Sequence, residues 1–153
     1  MYKYILFDLD GTIADSGEGI MNGVIYALEK FGIKESNKEV LNSFIGPPLV
    51  DAFMKNYSFS NEKALEAVRL YREFYPREGI YQNTLYDGVD YLIKELKQQG
   101  KTLILATSKP LPFAEIILKQ YDLLKYFDFV VGATFDGKLN YKKDVIRVAL
   151  EKS

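Results

Sequence analysis

The sequence predicts an α/β protein whose parallel sheet is interrupted, after its first strand, by a lobe built only of helices. Three observations carry this. An apolar run of strand length, residues 4–7, lies near the start of the chain and stops at two carboxylates followed by residues that must turn. Over residues 16–81 apolar positions recur at helical spacing with no strand pattern between them. From residue 82 onward short apolar runs again alternate with helical periods, as in strands joined by right-handed crossovers. The expected division is a first strand and loop (1–15), an inserted helical domain (16–81) and the remaining α/β units (82–153), with about three strands in all.

The first strand stops at Asp8 and Asp10, followed by Gly11 and Thr12. Residues i and i+2 of a strand point to the same side, so the two carboxylates leave its tip together and address one small ligand. Their mutual repulsion is relieved by solvent or by a cation, which makes a divalent metal a natural companion. The plain alternative is an Asp-Gly turn closing a hairpin. Residues 13–19, however, lack the alternation of a returning strand.

Asp15 or Ser16 can cap a first helix bearing Ile20, Val24, Ala27, Leu28 and Phe31, and Gly32 stops it. Ser36 and Glu39 form a capping box for a second helix with Val40, Leu41 and Phe44, broken by Gly46-Pro47-Pro48. Residues 49–57 read as a third helix. Ser60 caps a fourth, through Leu65, Val68, Tyr71 and Tyr75, which Pro76 and Gly79 end. In the last portion Val89, Leu92, Ile93 and Leu96 mark a helix ending at Gly100, and residues 102–106 form a strand. Phe113, Ile116, Ile117 and Gln120 mark the next helix, residues 127–131 the third strand, and a helix begins at about Lys142.

Composition narrows the chemistry. At 153 residues and 48% hydrophobic, the chain can bury one compact core or a small core with an inserted lobe. A net charge of −1 with scattered basic residues gives no reason to expect nucleic acid or a membrane surface as partner. With neither cysteine nor histidine, disulfides, thiolate or imidazole metal sites and histidine acid–base chemistry are excluded, and proton transfer falls to Asp, Glu, Lys or Tyr. The start is strand-like, without a long apolar leader, and a cytoplasmic location is expected.

In an open parallel sheet, ligands sit beyond the carboxyl ends of the strands. Asp8 and Asp10 end the first strand, Thr107 and Ser108 the second, and Lys142 opens the helix after the third, so all gather on one edge. Hydroxyls with an ammonium at a helix N-terminus suit an anion rich in acceptor oxygens, and phosphate fits best. Duller readings stand beside these: Thr107-Ser108 as a cap for the next helix, Lys142 as a solvated lysine, Lys143 as its competitor, and Lys109 as an exposed loop residue near enough to help hold phosphate.

Asp8-Leu9-Asp10-Gly11-Thr12, then Thr107-Ser108-Lys109-Pro110 and Lys142, resemble motifs one, two and three of the haloacid dehalogenase (HAD) superfamily, most closely its phosphoglycolate phosphatase-like and 5′-nucleotidase-like branch. The resemblance implies a Rossmann-like core with a helical C1-type cap, and a Mg2+-dependent phosphatase acting on a small phosphorylated metabolite. It implies Asp8 as nucleophile, Asp10 as general acid and base, and one Asp8 oxygen with the Asp10 backbone carbonyl as Mg2+ ligands, with Gly11, Thr12, Thr107, Ser108 and Lys142 around the phosphate. Phe44 to Pro48, with Gly46 and Pro47 at its turn, resembles the cap's substrate-specificity loop; as a helix breaker alone it needs no such role. Phe53, Met54, Tyr57 and Tyr71 read as cap core rather than as a stacking platform. Hinges are expected near residues 15–17 and 79–84.

One part of the family pattern has no match. The fourth motif adds an acid pair after a further strand, whereas Asp144 and Glu151 are the only acids after Lys142 and both lie on the last helix. Taken by itself, the chain is expected to resemble a truncated member with an uncovered edge along its first strand, weak Mg2+ binding and slow turnover. The alternative function is a catalytically impaired fragment serving as a phosphate-binding module or self-associating through that edge.

Overall fold

The computed structural model describes all 153 residues. In chain order its regular elements are β1 (Tyr4–Phe7), β2 (Ala14–Asp15), α1 (Gly17–Glu29), α2 (Lys38–Asn42), α3 (Leu49–Tyr57), α4 (Asn61–Phe74), β3 (Thr84–Leu85), α5 (Val89–Gln98), β4 (Thr102–Pro110), α6 (Leu111–Gln120), β5 (Phe129–Ala133) and α7 (Lys142–Lys152). Single 3-10 turns occupy Gly79–Tyr81 and Leu124–Tyr126. The chain separates into two compact units, Met1–Asp15 with Thr84–Ser153, and Ser16–Asn83.

The first unit is α/β. Its sheet has the order β1-β4-β5 with every pair parallel, as strands joined through helices require. Leu6 lies opposite Ile104 and Phe7 opposite Leu105. Alternation along β4 sends Ile104 and Ala106 to one face, where they pack with Val131 of β5 and with Val145 and Ala149 of α7. Leu103 and Leu105, fully buried, go to the other. Each buried Leu or Ile of this kind contributes about 1.5–3 kcal/mol of transfer free energy. Phe127 meets Phe7 edge to face at 5.9 Å. It therefore belongs to the core without belonging to the strand: the third strand starts two residues later than the apolar run suggests, at Phe129. A second, two-stranded sheet pairs β2 with β3 antiparallel; each strand has two residues, too few to show a period.

The second unit is all helical. Glycines set its closest approaches: a Cβ on Gly19 would stand 1.8 Å from the Gly79 carbonyl oxygen, and one on Gly23 would stand 2.5 Å from the Tyr71 ring. Phe44 meets Phe53 edge to face at 4.9 Å, and Phe53 stacks on Phe59 at 6.2 Å. Phe53 and Tyr71 are buried, while Met54 reaches the surface. The Tyr57 hydroxyl donates to Glu35 Oε1 at 2.7 Å, and burial together with that carboxylate pushes the phenol well above its usual range. Ser60 caps α4, accepting from the Lys63 N–H at 3.2 Å. The expected capping box of α2 does not form. Asn37, extended at φ −75° and ψ 110°, holds the N-cap position and accepts from the Glu39 N–H instead. Ser16 stands at the N-cap of α1 but makes no side-chain cap bond.

Candidate active site

The tip of β1 is held by backbone bonds. The Leu9 carbonyl accepts from the N–H groups of Thr12, Ile13 and Ala14 at 3.2, 2.9 and 3.1 Å, and the Gly11 N–H donates to the Ala14 carbonyl at 2.9 Å. Gly11 sits at φ +79°, a conformation that side chains with a Cβ resist. Leu9, Ile13 and Ala14 are fully buried and anchor the turn, while Gly11 and Thr12 face solvent. Asp8 and Asp10 are thus presented on a rigid loop, Asp8 accepting the Leu9 N–H at 2.8 Å through Oδ1.

Lys142, the first residue of α7, places Nζ 2.7 Å from Asp8 Oδ1, and both side chains remain 40% exposed. The same ammonium donates to the Ala106 carbonyl at 2.5 Å, which fixes it across the carboxyl ends of β1 and β4. Lys143 is exposed. No side chain caps the N-terminus of α7; its first N–H groups keep the donor capacity that suits an anion.

The end of β4 departs from the sequence reading. The strand does not stop at Ala106 but continues to Pro110. Ala106 lies opposite Val131 and Pro110 opposite Ala133, so four steps along β4 match two along β5. Such a bulge re-aims side chains. Thr107 and Ser108 do not cap the following helix, whose N-cap position is Pro110. The Thr107 hydroxyl is buried and accepts the Lys109 N–H at 3.1 Å, and Ser108 is half-buried. Lys109 is not the exposed loop residue expected. Its ammonium lies 3.4 Å from Asp10 Oδ1, with side-chain exposures of 5% for the lysine and 11% for the aspartate.

Asp8, Asp10 and Lys142 are therefore brought together, with Thr107 and Ser108 on the strand end beside them. Gly46 and Pro47 belong to the helical unit, where both are exposed and Gly46 adopts φ +107°. Asp144 pairs with Arg147 on its own helix, Glu151 is exposed, and no cluster of three acidic side chains forms. The solvent-open Asp8 carboxylate still matches the donor set of Mg2+, which takes one or two carboxylates and completes six oxygens with water, carbonyl and phosphate, while the Asp10 carboxylate is turned to Lys109.

Comparison with known proteins agrees with this geometry. Residues 5–153 match the haloacid dehalogenase-like hydrolase family. A 5′-nucleotidase of Pseudomonas aeruginosa is 42% identical over 150 residues, covering 98% of this chain and 68% of that protein. A Mycobacterium tuberculosis protein named tyrosine-protein kinase PtkA is 34% identical over 97% of this chain but only 50% of its own length, so the chain spans half to two thirds of these relatives. The crystal structure of a predicted phosphatase from Clostridium acetobutylicum superposes with a TM-score of 0.96 at 47% identity, over 99% of this chain and 70% of the other. With a family match across nearly its whole length and relatives named as phosphatase and 5′-nucleotidase, the chain belongs to the haloacid dehalogenase-like hydrolases.

Proposed function

We propose that the chain is a phosphoric monoester hydrolase acting on a small phosphorylated metabolite by a two-step transfer through Asp8. The observation that carries this is the Asp8–Lys142 approach of 2.7 Å beside Asp10 at the carboxyl edge of the sheet. Asp8 attacks phosphorus in line while the bond to the leaving oxygen breaks, giving an aspartyl-phosphate. Asp10 donates a proton to the departing oxygen. It then takes one from the water that attacks the acyl phosphate, whose bond to Asp8 breaks to release phosphate. Lys142 balances charge on the equatorial oxygens, and the Thr107 and Ser108 hydroxyls, with Gly11 and Thr12 on the adjoining loop, help hold them. An Asp8 carboxylate oxygen and the Asp10 backbone carbonyl would hold Mg2+, which would supply further positive charge to those oxygens.

In this reading residues 16–81 act as a cap that selects the substrate, with Gly46 and Pro47 in contact with it. Similarity to a protein named 5′-nucleotidase supports a nucleoside monophosphate or another small phosphoester such as phosphoglycolate. No helix is long and apolar enough to cross a membrane, in keeping with a cytoplasmic place for the protein. The edge position of β1, with Tyr4 and Leu6 exposed on it, favours a second reading in which copies associate there; solution mass tests that directly.

The experiment is hydrolysis of p-nitrophenyl phosphate with and without Mg2+, followed by a panel of metabolite phosphates. Turnover should require the metal, and Asp8→Asn and Asp10→Asn should each lower it by about a hundredfold to ten-thousandfold or more. Full activity in either variant refutes the assignment.

A further inference from the structure

The first of the two lysines that meet the paired aspartates, Lys142, is open to solvent, as a group that meets a diffusing phosphate must be. The second is not: Lys109 has a side chain only 5% exposed and approaches an Asp10 carboxylate that is only 11% exposed. Its placement is built into the backbone. The bulge in β4 between Ala106 and Pro110 turns the residue inward. The Thr107 hydroxyl holds the Lys109 N–H at 3.1 Å. Gly132 of β5 lets the bulge settle onto it, since a Cβ there would lie 2.8 Å from the Lys109 carbonyl oxygen and 2.7 Å from Leu111 Cα. A buried ammonium is costly unless paired, so a fold that builds a bulge to bury one uses it for the group it meets.

We propose that Lys109 is a positioning residue, whose buried ammonium fixes the Asp10 carboxylate in the orientation from which it exchanges protons with the leaving oxygen and the attacking water. This rests on the role given to Asp10 under the proposed function. Lys109 and Lys142 then divide the work: Lys142 serves the phosphoryl group at Asp8, and Lys109 serves the proton donor. Proton donation matters most when the leaving oxygen is a strong base, so losing Lys109 should be felt according to the alcohol released. Losing a phosphate-binding lysine would be felt equally for every ester.

The test compares wild type with Lys109→Met and Lys109→Arg on dinitrophenyl, p-nitrophenyl and alkyl phosphates in the presence of Mg2+. Alongside, the 13C signals of carboxyl-labelled aspartates are read at one pH without substrate. For Lys109→Met the proposal expects kcat to fall at least tenfold more on the alkyl ester than on the dinitrophenyl ester, with KM changed less than threefold. It also expects the Asp10 carboxyl signal to move, and Lys109→Arg to recover part of both effects. An equal loss on all esters, a rise in KM alone, or an unmoved Asp10 signal overturns it. If wild type shows no turnover the phosphatase reading fails, and the carboxyl signal alone decides whether Lys109 orients Asp10. If Lys109→Met does not fold, Lys109→Arg carries the comparison, since its longer, planar group cannot reproduce the ammonium's position; wild-type kinetics with an unmoved signal in that variant refutes the proposal.

Discussion

Gly132→Ala tests the packing that shapes the end of β4. The added methyl would lie 2.7 Å from Leu111 Cα, 2.8 Å from Leu111 N and 2.8 Å from the Lys109 carbonyl oxygen. All three are backbone atoms, so no rotamer change relieves the overlap, and the bulge must move by roughly half an ångström or more to restore ordinary contact. Overpacking of this kind costs about 1–3 kcal/mol, from which the lower unfolded-state entropy of alanine returns about 0.5–1. A net loss of up to about 2.5 kcal/mol should lower Tm by up to about 10 °C for a chain of this size. Because the displaced segment carries Thr107 and Lys109, turnover of p-nitrophenyl phosphate should fall by about ten- to a hundredfold, the usual penalty for small misplacement of reacting groups. Gly100→Ala is the control. It carries backbone strain at φ +75° with nothing within 4 Å of the new methyl, so it should cost about 1–2 kcal/mol and leave kcat unchanged. Urea unfolding and steady-state kinetics on both variants read the two effects separately. A Gly132→Ala protein with wild-type stability and wild-type kcat would refute the account of the bulge.

Two further perturbations probe the scaffold. Gly19→Ala puts a methyl 1.8 Å from the Gly79 carbonyl oxygen; the cost should exceed about 3 kcal/mol, and limited proteolysis should cut within residues 16–83 while the α/β unit resists. Asp128 accepts from Lys97 Nζ at 2.6 Å and from the Leu103 N–H at 2.8 Å, and the Lys97 hydrogen bond holds its carboxyl below the usual range. A carboxyl lowered on folding adds stability that is fully present above its unfolded value of about 3.9 and is lost as pH falls through the lower folded value. Asp128→Asn keeps the bond to Leu103 and removes the charge, so it should cost about 1 kcal/mol at neutral pH, allowing for partial solvent screening. That difference should close as pH falls through the lowered folded value, as followed by urea midpoints across pH; a gap that persists in strong acid contradicts the pairing.

The α/β class and most element positions were legible because their periods are long. α3 runs over residues 49–57, as the apolar spacing indicates, and α7 opens at Lys142. The carboxyl-edge rule was enough to bring Lys142 toward Asp8 across a long separation in sequence, although β1 ends at Phe7 and Asp8 and Asp10 lie on the loop beyond it rather than in the strand. Three features were hidden for physical reasons. The β2–β3 pair is shorter than any period. At the start of α2, Ser36 and Asn37 are both good caps, and only backbone conformation decides for Asn37. The fate of Lys109 depends on a bulge whose cause, the missing side chain of Gly132, lies on another strand. Phe127 shows a related limit, since hydrophobicity reports burial against Phe7 and not membership of the ladder.

Trapping the covalent intermediate tests the central claim most directly. Asp10→Asn protein is mixed with p-nitrophenyl phosphate and Mg2+, quenched in acid and digested, and the peptide carrying Asp8 is examined by mass spectrometry. A phosphoryl group on Asp8, absent from Asp8→Asn and discharged by hydroxylamine, is the predicted result. Substrate turnover by the unaltered chain with the adduct on another residue, or with no adduct under any quench, would contradict it.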